Sequence, residues 1–281
     1  MTFRLAILLT CYNRREQTLD CLKASHQQAL PSNMQVDHYL VDDGCTDGTS
    51  NAVFSDYPDV KILMGSGDLF WNGGMRLAFA EAIKSDYDFY LWLNDDTILY
   101  PEAITTLLQT YWQMSQNNDG FMVVVGSTKD ENTGKFSYGG LVRRSWWHPL
   151  RFAAVHPEQG AKPCLTMNGN CVLIPRRTVK QVGNLEQSYS HTMGDLDYGL
   201  RVSYSGGKVW VSPNYVGTCN SNPLRHPDWY KARLNLRKRW TIINSPKGLP
   251  FLEWKIFSQR HAGFFWWLYW LLPYARLLLK P

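Results

Sequence analysis

No two cysteines in this sequence are spaced C-x-x-C. The six present (Cys11, Cys21, Cys45, Cys164, Cys171 and Cys219) are scattered, which argues against a zinc ribbon or a disulfide framework and fits a reduced, cytosolic protein. There is no long basic run and no nucleic-acid motif. The net charge of +5 therefore points to anionic ligands or an anionic membrane surface rather than to nucleic acid. The strand-like run from Phe3 to Thr10 lacks the flanks of a signal peptide, so the cytosolic side is the expected compartment. The aromatic and aliphatic stretch Ala262 to Leu279 is interrupted by Pro273 and Arg276, and its uncharged part is too short to read as a transmembrane helix. Internal repeats and low-complexity tracts are absent.

What is present is a core. Of 281 residues, 44% are hydrophobic and 19% charged, enough for one large domain or a domain with a substantial extension. Short apolar runs alternate with helix-like segments through the first half. Strands are expected over Arg4–Thr10, Val36–Val41, Val60–Met64, Phe89–Leu93 and Phe121–Gly126, and helices over Glu16–Gln28, Met75–Ser85 and Glu102–Ser115. A glycine-rich loop is expected from Gly65 to Gly74. Such alternation predicts a parallel sheet with right-handed crossovers. The second half is less regular, with an edge strand over Phe136–Val142 and a long loop from Arg143 to Pro163 that holds Trp146 and Trp147. Beyond it come the turn Asn168-Gly169-Asn170, the apolar run Cys171–Ile174, a short helix over Asp195–Ser205 and a strand over Lys208–Ser212.

Acids recur at the ends of these elements. Asp42 and Asp43 follow the second strand, Asp95 and Asp96 end the run Tyr90-Leu91-Trp92-Leu93-Asn94, and Asp195 opens a helix. In open α/β sheets ligands sit at the carboxyl ends of the strands. Adjacent carboxylates repel and need a cation or strong hydrogen bonds, which a hard divalent metal shared with phosphates would supply. Each turn also has a plainer reading, since Asn94, Asp95, Asp96, Asp43 and Asp195 are all good turn or helix-capping residues.

Taken in order, Thr10-Cys11-Tyr12-Asn13-Arg14, then Val41-Asp42-Asp43-Gly44-Cys45-Thr46-Asp47-Gly48-Thr49, then Asn94-Asp95-Asp96 resemble the motifs of the family 2 glycosyltransferases, and among them the rhamnosyltransferase-like group of bacterial surface-polysaccharide enzymes. The resemblance covers residues 3–215. It implies an α/β GT-A fold, with a Rossmann-like, mostly parallel sheet flanked by helices. The expected division is a glycosyltransferase domain over 1–220 (a nucleotide half at 1–126 and an acceptor half at 127–220), followed by a helical extension at 221–281.

By residue-for-residue match, Thr10, Tyr12 and Arg14 hold the nucleotide, with the tyrosine ring near the base, and Asp43 bonds a pyrimidine edge. Asn72 and Gly73 match the small-residue loop beside the nucleotide, where glycine allows close approach. Asp96 matches the metal ligand, for Mg²⁺ or Mn²⁺, and Asp95 lies near the ribose or metal-bound water. Asn94 departs from the literal D-x-D, and Gly194 stands where glutamate is common. Asp195 matches the general base of a direct, inverting displacement. His226 matches a loop histidine that reaches the diphosphate or metal in some relatives; a lone loop histidine is also ordinary surface. Asn168 and Gly169 are expected to line the acceptor cleft. Trp71, Trp146 and Trp147 suit either sugar stacking or core, and Trp147 is taken as an acceptor contact.

The expected partners are a UDP- or dTDP-sugar donor and a glycan or polyprenyl-diphosphate-linked acceptor, as in O-antigen synthesis. Aromatic and basic residues after Trp229 suit a membrane interface, which would place the chain peripherally on the cytosolic face of the inner membrane; packing on the catalytic domain or between copies of the chain in a homo-oligomer is the alternative. Two other functions fit less well. A sugar-1-phosphate nucleotidyltransferase needs a glycine-rich phosphate loop after the first strand, which Thr10–Arg14 lacks. A non-catalytic glycan- or nucleotide-sugar-binding protein predicts a lost base or metal site, yet Asp96 and Asp195 are present.

Overall fold

The computed structural model describes residues 2–116, 119–221 and 234–279. In chain order the first half comprises β1 (Phe3–Cys11), α1 (Arg15–His26), β2 (Met34–Asp42), α2 (Thr49–Asp56), β3 (Lys61–Met64), α3 (Phe70–Ile83), β4 (Phe89–Leu93), β5 (Ile98–Leu99) and α4 (Ala103–Ser115). The second half comprises β6 (Met122–Lys129), β7 (Phe136–Tyr138), β8 (Gly140–Arg143), β9 (Phe152–Ala154), β10 (Lys162–Cys164), β11 (Thr166–Met167), β12 (Cys171–Pro175), α5 (Arg176–Val182), α6 (Gly194–Tyr204) and β13 (Lys208–Thr218). Three helices close the described chain: α7 (Leu236–Ile243), α8 (Phe251–His261) and α9 (Trp266–Leu279).

The main sheet runs β10-β13-β6-β12-β4-β1-β2-β3, with β5 on β13 and β7 on β6. The period-two geometry of a strand sends successive side chains to opposite faces. Leu5, Ile7 and Leu9 of β1 accordingly join Leu91 and Leu93 of β4 in one core layer under α1 and α4. Ala6, Leu8, Tyr90 and Trp92 face the other layer, with Met75 and Phe79 of α3. Both faces are covered, which is why these strands read as unbroken apolar runs.

The sheet is mixed rather than parallel throughout. β1 pairs in parallel with β2 and β4, and β6 with β13, but β12 lies antiparallel between β4 and β6. Cys171 opens β12 opposite Leu93, the last residue of β4. The turn 168–170 is thereby brought against the turn 94–96, and the Asn94 N–H donates to the Asn170 carbonyl (3.0 Å). Strand direction alone sets this juxtaposition.

Three local expectations are revised. The glycine-rich loop ends at Leu69, because α3 begins at Phe70 and takes in Asn72, Gly73 and Gly74. The edge strand at 136–142 divides into β7 and β8, which belong to different sheets. The stretch 143–163 is partly ordered as β9, which pairs with β8 in a three-stranded sheet of order β11-β8-β9, and as the start of β10.

The C-terminal helices bury one side against α6. Ile243, Trp254, Phe257, Tyr274 and Leu277 form a third core with Tyr189, Met193 and Leu200. Pro273 sits inside α9 and cannot donate to the Tyr269 carbonyl one turn back. That carbonyl instead accepts from Trp254 Nε1 (3.2 Å). The helix continues across the proline because a neighbouring helix satisfies the freed acceptor.

Candidate active site

The nucleotide-side turns are laced together by side chains. Asn13, in a left-handed conformation (φ 50°), accepts from the Thr46 N–H through Oδ1 (2.7 Å), and its own N–H meets Cys45 Sγ (3.1 Å). The Asp43 carboxylate accepts from the backbone N–H groups of Gly67 (2.8 Å), Leu69 (2.9 Å) and Phe70 (3.0 Å). Asp43 thus fixes the loop before α3 and holds Phe70 at a positive φ of 53°. Thr10 is buried under α3, where Gly74 packs so closely that a Cβ would lie 2.0 Å from the Thr10 hydroxyl oxygen. Tyr12 is exposed at the mouth.

Asp95 and Asp96 follow β4 at the carboxyl edge of the sheet. Arg14 Nη1 bridges them, 3.1 Å from Asp95 Oδ1 and 2.8 Å from Asp96 Oδ2. Burial pushes the Asp95 carboxyl up to about 7, with Arg14 opposing the rise and Asp96 adding to it. Asp96 is the more open of the pair, its side chain 33% exposed against 9% for Asp95. Cys219, just beyond β13, donates to Asp96 Oδ1 (3.4 Å) and accepts from Asn170 Nδ2 (3.4 Å). Burial raises its thiol to about 12, so it acts as a neutral donor. The guanidinium already occupies a cation's place between two hard oxygen donors, and the pair therefore fits a divalent metal.

Asp195 lies in the first turn of α6. Its Oδ2 accepts from the Gly169 N–H (3.0 Å) and its Oδ1 from the Leu196 N–H (2.7 Å). Burial raises its carboxyl above the ordinary range, against those two hydrogen bonds. Trp71 connects the two sides. Its indole Nε1 donates to Asn94 Oδ1 (2.7 Å), and its six-membered ring packs under Gly169, where a Cβ would lie 2.4 Å from Cζ2. The Trp71 N–H also faces His191 Nδ1 (3.5 Å). Burial brings His191 down to about 4, helped by the charges of Lys247 and Arg14, so it stays neutral.

Several sequence expectations are redirected. Asn72 is completely buried, and its Nδ2 donates to the carbonyls of Glu186 (2.9 Å) and Tyr189 (2.7 Å). It pins α3 to the segment before α6. Its amide also explains Gly194, where a Cβ would lie 1.8 Å from Asn72 Oδ1; no glutamate fits there. Gly73 packs on Leu69 within the first turn of α3. The Asn168 N–H donates to the Gly139 carbonyl (3.0 Å), while its Oδ1 is buried without a partner. Trp147 stands with α9, its carbonyl accepting from Tyr269 Oη (2.8 Å), and its ring meets His148 and Arg151. His226 lies outside the described residues. Cys219 and His191 were not singled out from the sequence. Proximity in sequence to Asp195 was the one available signal for His191, and Cys219 had none.

A second group, His26, His38 and Asp59, brings ligand atoms within 4.8 Å of one another. The two imidazoles are stacked, 4.1 Å between centroids and 7° apart. Ring lone pairs lie in the ring planes, so parallel stacked rings do not converge on one ion. His38 is four residues upstream of the tip of β2, about 13 Å along the strand, and this cluster is separate from the Asp95–Asp96 turn.

The sequence matches the family model described as Glycosyltransferase like family 2 over residues 4–242. It is 24% identical over 267 residues to the N-acetylglucosaminyl-diphospho-decaprenol L-rhamnosyltransferase of Mycobacterium tuberculosis, in strains ATCC 25618 / H37Rv and CDC 1551 / Oshkosh alike, covering 77% of this chain and 83% of the relative. Its fold is similar to crystal structures of S. aureus TarS. The match to one TarS chain has a TM-score of 0.55 at 13% identity and covers 92% of this chain but 42% of that one, so this chain spans less than half of that TarS chain. The match to TarS 1–349 in complex with UDP has a TM-score of 0.55 at 12% identity, covering 92% of this chain and 70% of that one. The structural likeness gives the GT-A fold. With the family model spanning most of the chain over acids arrayed at the carboxyl edge of the sheet, the chain belongs to glycosyltransferase family 2 and is a glycosyltransferase.

Proposed function

We propose that this glycosyltransferase is an inverting, metal-dependent enzyme that moves a 6-deoxyhexose from a dTDP- or UDP-sugar to a hydroxyl of a glycan carried on a polyprenyl diphosphate. The observation that supports the reading is that Trp71 links the two acid-bearing turns: its indole bonds Asn94, next to the Arg14–Asp95–Asp96 cluster, and its ring packs under Gly169, whose N–H donates to Asp195. The M. tuberculosis relative, whose name specifies rhamnosyl transfer to a decaprenyl-diphosphate-linked N-acetylglucosamine, supports the choice of sugar and acceptor.

Asp95 and Asp96 would hold Mg²⁺ or Mn²⁺, which when bound supplies positive charge for the leaving diphosphate. Arg14 supplies charge from the same side. Tyr12 would cover the base, and Asp43 keeps the loop before α3 in shape. On the other side Asp195 removes the proton from the acceptor hydroxyl as that oxygen bonds to C1. The bond from C1 to the phosphate oxygen breaks, and the nucleoside diphosphate departs with the electron pair. The acceptor attacks opposite the leaving group, so the configuration at C1 inverts.

The acceptor lipid calls for a membrane surface, and α9 offers one. Phe264, Phe265, Trp267, Leu268, Leu271 and Leu272 are all exposed on the side of the C-terminal helices turned away from the third core. Among the described residues no helix is long and apolar enough to cross a membrane. An exposed aromatic and aliphatic face suits interfacial binding. This supports a peripheral position on the cytosolic face of the inner membrane and a role in surface-polysaccharide synthesis.

The test is turnover. Purified enzyme with a dTDP-6-deoxyhexose, Mn²⁺ and a short polyprenyl-diphosphate-linked N-acetylglucosamine should extend the acceptor by one deoxyhexose, with the new linkage inverted at C1. Donor hydrolysis only, across a panel of lipid-linked acceptors, would contradict the acceptor class.

A further inference from the structure

The two departures from the family pattern meet adjacent residues of α3. Asn94, in place of an acid, accepts from Trp71 Nε1 (2.7 Å). Gly194, in place of glutamate, leaves room for the amide of Asn72, the next residue of α3, whose Oδ1 would lie 1.8 Å from a Cβ there. A carboxylate at position 94 would put a third negative charge beside Asp95 and Asp96; an amide oxygen accepts the indole N–H without it.

Every side of Trp71 that can be assigned is fixed. Its N–H is held by Asn94, its six-membered ring lies under Gly169, and Trp92 meets it edge to face, 6.0 Å between centroids at 84°. Its backbone follows Phe70, the strained residue that Asp43 holds at φ 53°. A rigid, half-buried indole therefore sits between the turn that carries Asp95 and Asp96 and the turn whose Gly169 N–H binds Asp195. On the donor-site reading above, a sugar tethered by its diphosphate on the first side and attacked by an alcohol activated on the second would bridge the two turns that this indole joins.

We infer that Trp71 is the platform for the transferred sugar, and that Asn94 is a positioning residue that sets the angle of the ring. The platform selects sugars that present an apolar C–H face, as a 6-deoxyhexose does, over those with a hydroxymethyl group directed at the indole. The inference rests on the donor-site reading above.

Calorimetry with matched ligands separates the two. Wild type, Trp71→Leu, Trp71→Phe and Asn94→Ala are titrated with dTDP and with a dTDP-6-deoxyhexose in Mn²⁺, and with UDP and a UDP-hexose as the alternative pair. Trp71→Leu should keep nucleoside diphosphate affinity within about twofold and lower nucleotide-sugar affinity by about tenfold or more. Trp71→Phe and Asn94→Ala should keep most of the sugar affinity but lower kcat rather than raise KM, because the ring loses its set angle. Retained nucleoside diphosphate binding is itself the check on folding. Equal losses for nucleotide and nucleotide-sugar in Trp71→Leu, or no loss for either, would overturn the platform while leaving the donor site standing. Failure of the wild type to bind any nucleoside diphosphate would overturn the donor site and the platform together.

Discussion

Single residues carry both the chemistry and its cost here. Asp195 is desolvated, and the folded protein therefore binds its proton more tightly than the unfolded chain does. Above the raised folded value the charged carboxylate lowers stability, and that penalty disappears as pH falls through it. The base works only when deprotonated. Turnover should accordingly fall on acidification at a pH above the ordinary aspartate value of 3.8, as a pH profile of kcat will show. Asp195→Asn should lower kcat by about 10²- to 10⁴-fold, as steady-state kinetics will show; activity within about threefold of the wild type would remove Asp195 as the base. Asp43, Asp95, Asp96 and Asp195 were legible in the sequence because acids at strand ends and helix starts form a recognisable ordered set. The Trp71–Asn94 bond was not, because an indole at the start of a helix has no sequence mark distinguishing cleft from core.

At the scale of elements, α6 is tied to α8 by a buried carboxylate. Asp197, with no exposed side-chain surface, accepts from Arg201 Nε (2.7 Å) and His261 Nε2 (2.8 Å), with Arg260 Nη1 at 3.5 Å. Burial alone would raise its carboxyl, but the His261 hydrogen bond and the Arg201 charge hold it below the ordinary range. A depressed folded value contributes stability above the unfolded pKa, lost as pH falls through the folded one. Asp197→Ala should cost about 3–5 kcal/mol in denaturant unfolding and flatten the acid limb of the stability profile below the ordinary aspartate range. The spacing from Asp197 to Arg201 was readable as a helical pair; the histidine 64 residues away was not. Most strands and helices of the first half followed from apolar periodicity, but α2, α5 and α8 did not, and β13 runs to Thr218, well past the expected Ser212. The antiparallel direction of β12 did not, since an apolar run of five residues carries no direction, and the first turn of α3 was mistaken for loop because two glycines sit inside it.

At the scale of the whole molecule the proposed function draws on two regions: the acid-bearing turns at the carboxyl edge of the sheet and the outer side of the C-terminal helices. Read alone, the aromatic tail suits either membrane attachment or packing on the protein; the structure buries part of it and leaves the rest exposed. Tyr274, Leu277 and Trp254 are buried in the third core, while Trp267, Leu268 and Leu271 remain outside. Trp147 is joined to this surface through Tyr269. Vesicles of mixed anionic and neutral phospholipid should sediment the wild-type protein, and the double substitution Trp267→Ser, Leu271→Ser should abolish sedimentation while leaving nucleotide binding intact. Equal sedimentation of both proteins would remove α9 from the membrane account.

The most direct measurement of the account is the calorimetric binding of dTDP and of UDP with and without Mn²⁺, to the wild type and to Asp96→Ala. The account predicts binding of one of these nucleoside diphosphates that is strengthened by Mn²⁺, and loss of that strengthening in Asp96→Ala with the fold intact. Nucleotide binding indifferent to the ion in both proteins would contradict the metal site at Asp95 and Asp96, and no binding under any condition would contradict the donor site itself.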